Sequence, residues 1–229
     1  MIIFGIDVTS ESGSLAIRAN GQTVAELALV SQDGFAHVLF GATNELLKRA
    51  QLTLDDIDCF ASASGPGAFT GVRVGLSAVK GLAEAMGKPA AGISNLRALA
   101  TFGASDRRAV VMDARRGEVF GAVYNAALEP VAPELVSTFC QWLDSLSSPP
   151  CEFITPAGSP FCAALEGTRL RGTRCIEAPR HLAPAIAFCA ELDGRSGRWS
   201  DPAALEANYV RRSDAELLFG AHRRTPVLP

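Results

Sequence analysis

Two short stretches carry the residues that could bind a phosphate. In the first, Asp7 ends an apolar run near the start of the chain, and Thr9 and Ser10 follow it. A carboxylate at the end of a strand, beside hydroxyl groups, can hold a metal ion and a phosphate. Such a loop needs glycines close to the phosphate, whereas Val8 and Glu11 crowd this one and Glu11 adds a repelling charge. We therefore interpret Asp7, Thr9 and Ser10 as a degenerate phosphate loop.

The second stretch is the glycine-rich segment GPGAFTGVRVG at residues 65–75, which opens a helical pattern. Free amides at a helix N-terminus attract anions, so this turn could cradle a phosphate. It lacks the Lys-Ser or Lys-Thr ending of a P-loop. The sequence therefore favours a packing role, in which the glycines let another segment come close to the backbone.

The helix predicted over residues 72–86 has more apolar surface than a single sheet covers. At 100° per residue its non-polar arc spans roughly 220°, whereas a helix packed on one surface needs only about 100°. One stripe holds large apolar residues, and the neighbouring stripe of small residues would let a second helix approach closely. The helix predicted over residues 35–50 also has a wide apolar arc. Either both helices are covered within their own lobe, or a partner protein covers them.

Each half of the chain is predicted to have the element order βββαβαβα. The dipeptide Asn20-Gly21 predicts a hairpin between the second and third strands, because both positions tolerate a positive φ. The second half repeats the order from residue 108 onward. This is the layout of an α/β protein with two ribonuclease-H-like lobes, as in the actin-like, sugar kinase and heat-shock ATPase superfamily. We predict an N-terminal lobe at residues 1–105 and a less regular C-terminal lobe at residues 106–229.

Composition describes an ordinary globular protein rather than one that grips nucleic acid unaided. Of the 229 residues, 48% are hydrophobic and 20% are charged, and the formal net charge is −3. Neutralising phosphates requires clustered cations, so any RNA role would use a partner's surface. The end of the chain is nevertheless basic and could reach RNA phosphates. The arginines of this basic tail are Arg211, Arg212, Arg223 and Arg224.

The six cysteines show neither a Cys-x-x-Cys pair nor the spacing of a zinc site. Because most lie in apolar runs, we expect buried free thiols in a reducing compartment. The first residues lack the basic region and cleavage site of a signal peptide. No apolar run reaches the roughly 20 residues that span a bilayer, so no membrane partner is expected. The cytoplasm is the expected location.

Several motifs together resemble the TsaB family, also called YeaZ. They are GIDVTS at residues 5–10, His37, the block at residues 65–75, KGLA at residues 80–83, MDAR with GEV at residues 112–119, and YVR at residues 209–211. The likeness is dense over residues 1–125 and thin over residues 126–207. Its most specific part is the Gly-Pro-Gly block with its Phe-Thr-Gly-x-Arg continuation.

The resemblance implies a non-catalytic scaffold subunit of the bacterial complex that makes threonylcarbamoyladenosine in tRNA. Such a subunit pairs with a TsaD-like paralogue, which transfers the threonylcarbamoyl group to the adenosine beside the anticodon. A TsaE-like ATPase completes the assembly, and tRNA is bound through the complex. The resemblance implies no cofactor on this chain alone, with ATP and a metal held by partner subunits. A homodimer is plausible when the partner is absent.

The resemblance also implies that no metal binds here. The TsaD-like relatives hold their metal with a His-x-x-x-His pair on the first long helix, whereas His37 is followed four positions later by Gly41. Two histidines at this spacing share one helix face, and the second ligand is missing. His181 and His222 lie far away in the sequence.

Two other function classes stay open. One is an ATP-dependent phosphotransferase of the acetate and sugar kinase superfamily that uses Asp7. The other is a glycoprotease-like metallopeptidase, for which the metal ligands are missing.

The family's mode of association accounts for the excess apolar surface. Its two N-terminal helices pair with those of the partner as a small helical bundle. The residues predicted at this partner interface are Val38, Leu39, Ala42, Leu46, Gly71, Val74, Gly75, Ala78 and Leu82.

Overall fold

The structure is a computed structural model, and it describes residues 1–146 and 148–211. The first half has the predicted order of three strands followed by alternating helices and strands. Its elements are β1 (Ile2–Asp7), β2 (Ser12–Ala19), β3 (Gln22–Val30), α1 (Leu39–Ala50), β4 (Cys59–Gly65), α2 (Phe69–Met86), β5 (Ala90–Ser94) and α3 (Asn95–Ala100).

The second half repeats the same order with shorter helices. A short 3₁₀ turn at Pro202–Ala204 follows it. The elements are β6 (Arg108–Arg115), β7 (Glu118–Tyr124), β8 (Pro130–Thr138), α4 (Phe139–Ser145), β9 (Glu152–Pro156), α5 (Phe161–Leu165), β10 (Arg174–Ala178) and α6 (Ala183–Arg195).

The two halves form two five-stranded sheets with the same topology. The first sheet has the order β3-β2-β1-β4-β5, and the second has the equivalent order β8-β7-β6-β9-β10. In each sheet the first three strands pair antiparallel and the last three pair parallel. The repeated topology confirms the prediction of an α/β fold with two ribonuclease-H-like lobes.

Local signals in the sequence explain the hairpin and several helix ends. Asn20 and Gly21 both have positive φ angles, 50° and 82°, as a two-residue hairpin turn requires. Ser94 caps α3, because its hydroxyl accepts from the amides of Leu96 and Arg97. The predicted start of α1 at residue 35 is wrong, since the helix begins at Leu39 after a turn.

The last helix of each half packs mainly on the sheet of the other half. Helix α3 contacts β6, β7 and β9, and helix α6 contacts β1, β2, β4 and β5. Both helices belong to a hydrophobic core that contains residues from both sheets, such as Ile3, Val110 and Ile186. The predicted boundary at residue 105 separates the two sheets, but α3 and α6 each pack across it. As a domain boundary it stays a prediction.

After α6 the chain forms a strap, residues 199–211, that runs along the first lobe to the second. Ser200 exchanges two backbone hydrogen bonds with Ala90 of β5, each 2.9 Å long. Leu205 is buried in the core of the first lobe. Farther along, the Asn208 amide donates to the Ser64 carbonyl oxygen at 2.8 Å. The strap thus adds a third connection between the lobes.

The expectation of six free, mostly buried thiols is wrong. Cys162 and Cys175 form a disulfide between α5 and β10. The remaining four divide evenly, with Cys59 and Cys189 buried and Cys140 and Cys151 exposed. Burial raises the pKa of the Cys59 and Cys189 thiols to about 12 in each case, so both stay protonated at neutral pH. The packing of α5 beside β10, the next element in the chain, brings the two sulfur atoms together.

No helix formed by residues 1–146 and 148–211 is long and apolar enough to cross a bilayer.

Candidate functional site

The loop after β1 is closed by its own hydrogen bonds. Asp7 is 1% exposed. One of its oxygens accepts from the Thr9 amide at 3.0 Å and from the Thr9 hydroxyl at 2.6 Å. The Thr9 hydroxyl accepts from the Asn95 side-chain amide at 2.7 Å, and the Asn95 carbonyl oxygen accepts from the Gly65 amide at 3.1 Å. The network joins β1, β4 and α3, and Asp7 is buried within it.

Burial also shifts the pKa of the acidic group in this loop. Desolvation raises the pKa of Asp7, and hydrogen bonds from Thr9 and Asn95 offset only part of that effect. Ser10 is exposed, and its hydroxyl donates to the Ser12 carbonyl oxygen at 2.7 Å within the same turn. A metal or phosphate ligand would need Asp7 and Ser10 accessible and convergent, and the structure brings neither to a shared opening.

The glycine block lets the start of α2 press against the turn after β1. A Cβ atom on Gly71 would lie 2.0 Å from the Val8 carbonyl oxygen, and one on Gly67 would lie 2.7 Å from the Cβ of Thr9. The Ala68 amide donates to the Thr9 carbonyl oxygen at 2.7 Å. The space at the helix N-terminus is therefore filled by the protein's own backbone.

The structure corrects the predicted partner interface. Gly75 lies on the first sheet, where a Cβ atom would be 2.6 Å from the Ser62 hydroxyl oxygen, so the small stripe meets this lobe rather than another protein. The apolar arc of α2 is wide because this helix packs on β4, β1 and β5 on one side and also on the strap. The predicted interface residues that are buried in their own lobe are Leu39, Leu46, Gly71, Gly75 and Ala78.

The other four predicted interface residues keep part of their surface. Two of them lie at α1 and two on α2, where they pack against the core of the first lobe from its edge. Partner binding by them stays a prediction. These half-buried residues are Val38, Ala42, Val74 and Leu82.

An exposed strip of α2 lies next to these residues. Gly81 and Ala85 are exposed, and a Cβ atom on Gly81 would meet nothing within 4 Å. At 100° per residue they share one side of the helix with Val74. On α1 the side chain of Phe40 is 56% exposed. The sequence analysis missed Phe40 because it lies outside the main apolar stripe of its helix.

The histidines do not form a metal site in the described part of the chain. His37 is exposed and lies in the turn before α1. It therefore does not occupy a helical position like the first histidine of a His-x-x-x-His pair. His181 is exposed on the loop before α6. Among residues 1–146 and 148–211, no three His, Cys, Asp or Glu side chains are grouped so that they could hold a metal ion. His222 lies outside the described residues.

A cleft of about 650 Å³ lies between the lobes and the strap. At its side the Glu134 carboxylate accepts from the Tyr124 hydroxyl and the Asn208 side-chain amide, both at 2.6 Å, and from the Ser94 hydroxyl. Burial raises the pKa of the Tyr124 hydroxyl, which stays a donor. Because these groups come from both lobes and the strap, Glu134 fixes their relative position.

Two motifs that are distant in the sequence meet beside this cleft. The Arg73 side chain of α2 lies over the Phe69 ring at 3.7 Å, and its Nε donates to the Tyr209 hydroxyl at 3.1 Å. The Phe69 and Tyr209 rings have centroids 5.5 Å apart. Only the tertiary structure brings these residues together.

The end of β6 carries the charged residues Asp113 and Arg115. Arg115 donates to Glu11 at 2.9 Å, and this ion pair joins the second lobe to the turn after β1. Asp113 accepts from the Arg115 amide at 2.8 Å. Both partners of the ion pair are well exposed, so it contributes little to stability. Apart from Arg211, the basic tail lies outside the described residues.

Known proteins with similar sequences were found over nearly the whole chain. A family model described as TsaD, tRNA N6-adenosine threonylcarbamoyltransferase, matches residues 30–153. The tRNA threonylcarbamoyladenosine biosynthesis protein TsaB of Bacillus subtilis is 28% identical, over 94% of this chain and 96% of that protein. Uncharacterized protein ML0378 of Mycobacterium leprae is 34% identical over 94% of this chain, which spans only 56% of that relative.

Solved structures with the same fold were also found. YeaZ from Pseudomonas aeruginosa superposes with a TM-score of 0.75 at 23% identity, covering 91% of this chain and 99% of that one. At this identity the likeness establishes the fold alone. The family model and the Bacillus subtilis relative together confirm the resemblance that the motifs indicate: the chain belongs to the TsaB (YeaZ) family, within the wider group that the TsaD model describes.

Proposed function

We propose that this protein is a non-catalytic scaffold subunit in the biosynthesis of threonylcarbamoyladenosine in tRNA. It pairs with a TsaD-like subunit that transfers the threonylcarbamoyl group to the adenosine beside the anticodon. A TsaE-like ATPase joins the assembly, and the partner subunits hold the ATP and the metal. The chain alone has no transfer activity and works in the cytoplasm. The similarity to the Bacillus subtilis threonylcarbamoyladenosine biosynthesis protein supports this pathway.

The observation that carries the non-catalytic part is the closed loop after β1. An active site must leave its acidic residue free to contact a metal or substrate. Asp7 is instead buried and bonded to Thr9, while Val8 and Thr9 fill the space at the start of α2. The glycines serve this close packing. In this proposal the loop after β1 no longer binds phosphate and instead packs against the start of α2, as expected for a degenerate site.

The exposed strip of α2, together with an exposed side chain of α1, supports the pairing with a similar subunit. Gly81 and Ala85 leave room for a helix backbone to come close, and Phe40 offers an apolar side chain. Exposed apolar groups of this kind occur at protein interfaces. Compared with the predicted interface, the proposed one is shifted around α2 by less than half a turn, away from Gly71 and Gly75. A homodimer through the same strip is the expected state when the partner is absent.

Co-purification with the TsaD-like protein of the same organism tests the proposal. The wild-type chain is expected to form a stable complex. Ala85→Glu should weaken the complex at least tenfold, because it places a charge in the closely packed strip. The matched control is Ala164→Glu, the same change at an exposed position of α5 in the second lobe. Failure of the wild type to associate would refute the proposal. Equal binding by both variants would show that the exposed strip of α2 is not the interface.

An activity assay separates the proposal from the phosphotransferase alternative. The purified chain is expected to show no turnover of ATP with small acceptors. Turnover that disappears in Asp7→Ala would overturn the non-catalytic assignment. A stoichiometric zinc or iron content in the purified chain would favour the metallopeptidase alternative instead.

A further inference from the structure

An exposed aromatic cluster formed by Phe69, Arg73 and Tyr209 has no role in the packing described above. Phe69 is 44% exposed and Tyr209 is 49% exposed. Neither ring belongs to a hydrophobic core of the lobes. The cluster joins the first turn of α2 to the strap beside the cleft between the lobes.

The Arg73 side chain holds the cluster in place while keeping donors available. Its guanidinium lies over the Phe69 ring at 3.7 Å, and its Nε donates to Tyr209. Within residues 1–146 and 148–211, the two terminal nitrogens of Arg73 donate no hydrogen bond. A fixed guanidinium with free terminal nitrogens fits a phosphate, which can accept two hydrogen bonds from it.

Further arginines lie on the same side of the molecule. Arg211, two residues after Tyr209, contacts Glu118 at the start of β7 and lies 5.9 Å from the centre of the Phe120 ring. Glu118 directly follows the turn between β6 and β7, which carries Arg115 and Arg116. The contact therefore places the end of the strap beside an arginine-rich turn. Aromatic residues and arginines are also enriched at protein–protein interfaces, so the measurements below are chosen to distinguish an RNA partner from a protein partner.

We propose that the cluster is a contact site for single-stranded RNA, with an unpaired base stacked on the open aromatic surface and a neighbouring phosphate on Arg73. Aromatic rings beside arginines are the usual means of holding unpaired bases. The inference rests on the proposed function, because the RNA is then the tRNA of the assembly. The net charge of −3 agrees with a contact that supplements a partner's surface rather than replacing it.

Binding of an unmodified tRNA transcript to the assembled complex tests the site. Tyr209→Ala and Phe69→Leu should each weaken tRNA binding about fivefold or more, because a stacked base is lost. Tyr209→Phe keeps the ring but removes the acceptor for Arg73 Nε, so its loss of affinity should be smaller than that of Tyr209→Ala. Phe102→Leu, at an exposed phenylalanine between α3 and β6, is the matched control. Arg73→Ala should also reduce the salt dependence of binding by about one phosphate contact.

Unchanged tRNA affinity in Tyr209→Ala and Phe69→Leu would overturn the inference. So would a loss of affinity for the TsaD-like subunit in these variants without any change in the tRNA affinity of the complex that still forms. Melting temperatures identify a variant that fails to fold.

Crosslinking of the wild-type protein provides a second measurement that needs no variant. A tRNA transcript containing 4-thiouridine should crosslink to peptides that contain Phe69, Arg73 or Tyr209. Crosslinks confined to other peptides would overturn the inference. The same experiment on the chain alone at low salt, where phosphate contacts are strongest, separates this inference from the proposed pairing. Failure to bind the TsaD-like subunit would count against the pairing only.

Discussion

The two lobes share one strand order but hold their equivalent helices in different ways. In the first lobe, α2 follows the fourth strand, is 18 residues long and lies close to the sheet through Gly71 and Gly75. In the second lobe, α5 occupies the equivalent place with only 5 residues, and a disulfide joins it to β10. Close backbone packing therefore fixes the helix in one lobe, and a covalent bond fixes it in the other.

This difference indicates where the protein can carry a function. The long α2 is fixed by one side and leaves Gly81 and Ala85 exposed on the other. The core of the second lobe is built instead around aromatic residues such as Trp142, Phe153 and Phe161. Its short α5 offers little surface for a partner helix. The topology is repeated, but among residues 1–146 and 148–211 only the first lobe presents a long helix with an open side.

The largest effect is expected from Gly71→Ala, which tests whether close packing holds α2. The added methyl group would lie 2.0 Å from the Val8 carbonyl oxygen, so the helix or the turn after β1 must move. We expect the free energy of unfolding to fall by about 3 kcal/mol. Urea denaturation measures it, with Gly167→Ala in the second lobe as a control, since its Cβ would make only an ordinary contact at 3.7 Å. Equal stability of both variants would contradict the comparison.

Opening the disulfide should have a smaller effect that is confined to the second lobe. Replacing both Cys162 and Cys175 by serine removes the closure of a loop with a sequence separation of 13 residues. We expect a loss of about 2 kcal/mol under non-reducing conditions. A reductant should bring the wild type to the same stability as the variant. Cys140→Ser, at an exposed free thiol, serves as the control. A wild type insensitive to reductant would show that α5 needs no covalent bond.

The smallest effect is expected from Gly81→Ala, which tests the open side of α2. Nothing lies within 4 Å of the added methyl group, and alanine favours a helix more than glycine does. We expect the free energy of unfolding, measured by thermal or urea denaturation, to rise by about 0.5–1 kcal/mol. The same variant should bind the TsaD-like subunit more weakly if a helix packs closely there. A destabilised variant would place Gly81 inside the lobe, contrary to the structure.

The periodicity of hydrophobic residues and the turn-forming residues predicted most helices and strands of this protein. Asn20-Gly21 and the cap at Ser94 are local signals, and both have the expected geometry. The interpretation of the loop after β1 as a degenerate phosphate loop also came from local residues, Val8 and Glu11, and it stays a prediction. Local patterns missed the disulfide, because cysteine spacing alone does not specify a pairing, and they missed the packing of α3 and α6 on the sheet of the other lobe, which depends on distant segments.

The sequence by itself determined the order of the elements, the repeated half and the family, because each depends on short patterns that are local in the chain. Only the tertiary structure decided which side of α2 is covered. A helical period gives the width of an apolar arc but not the neighbour that fills it. Here the neighbour of Gly71 is Val8, and Arg73 meets Tyr209, which lies 136 residues away. Such contacts depend on how the sheets, helices and strap are arranged in space.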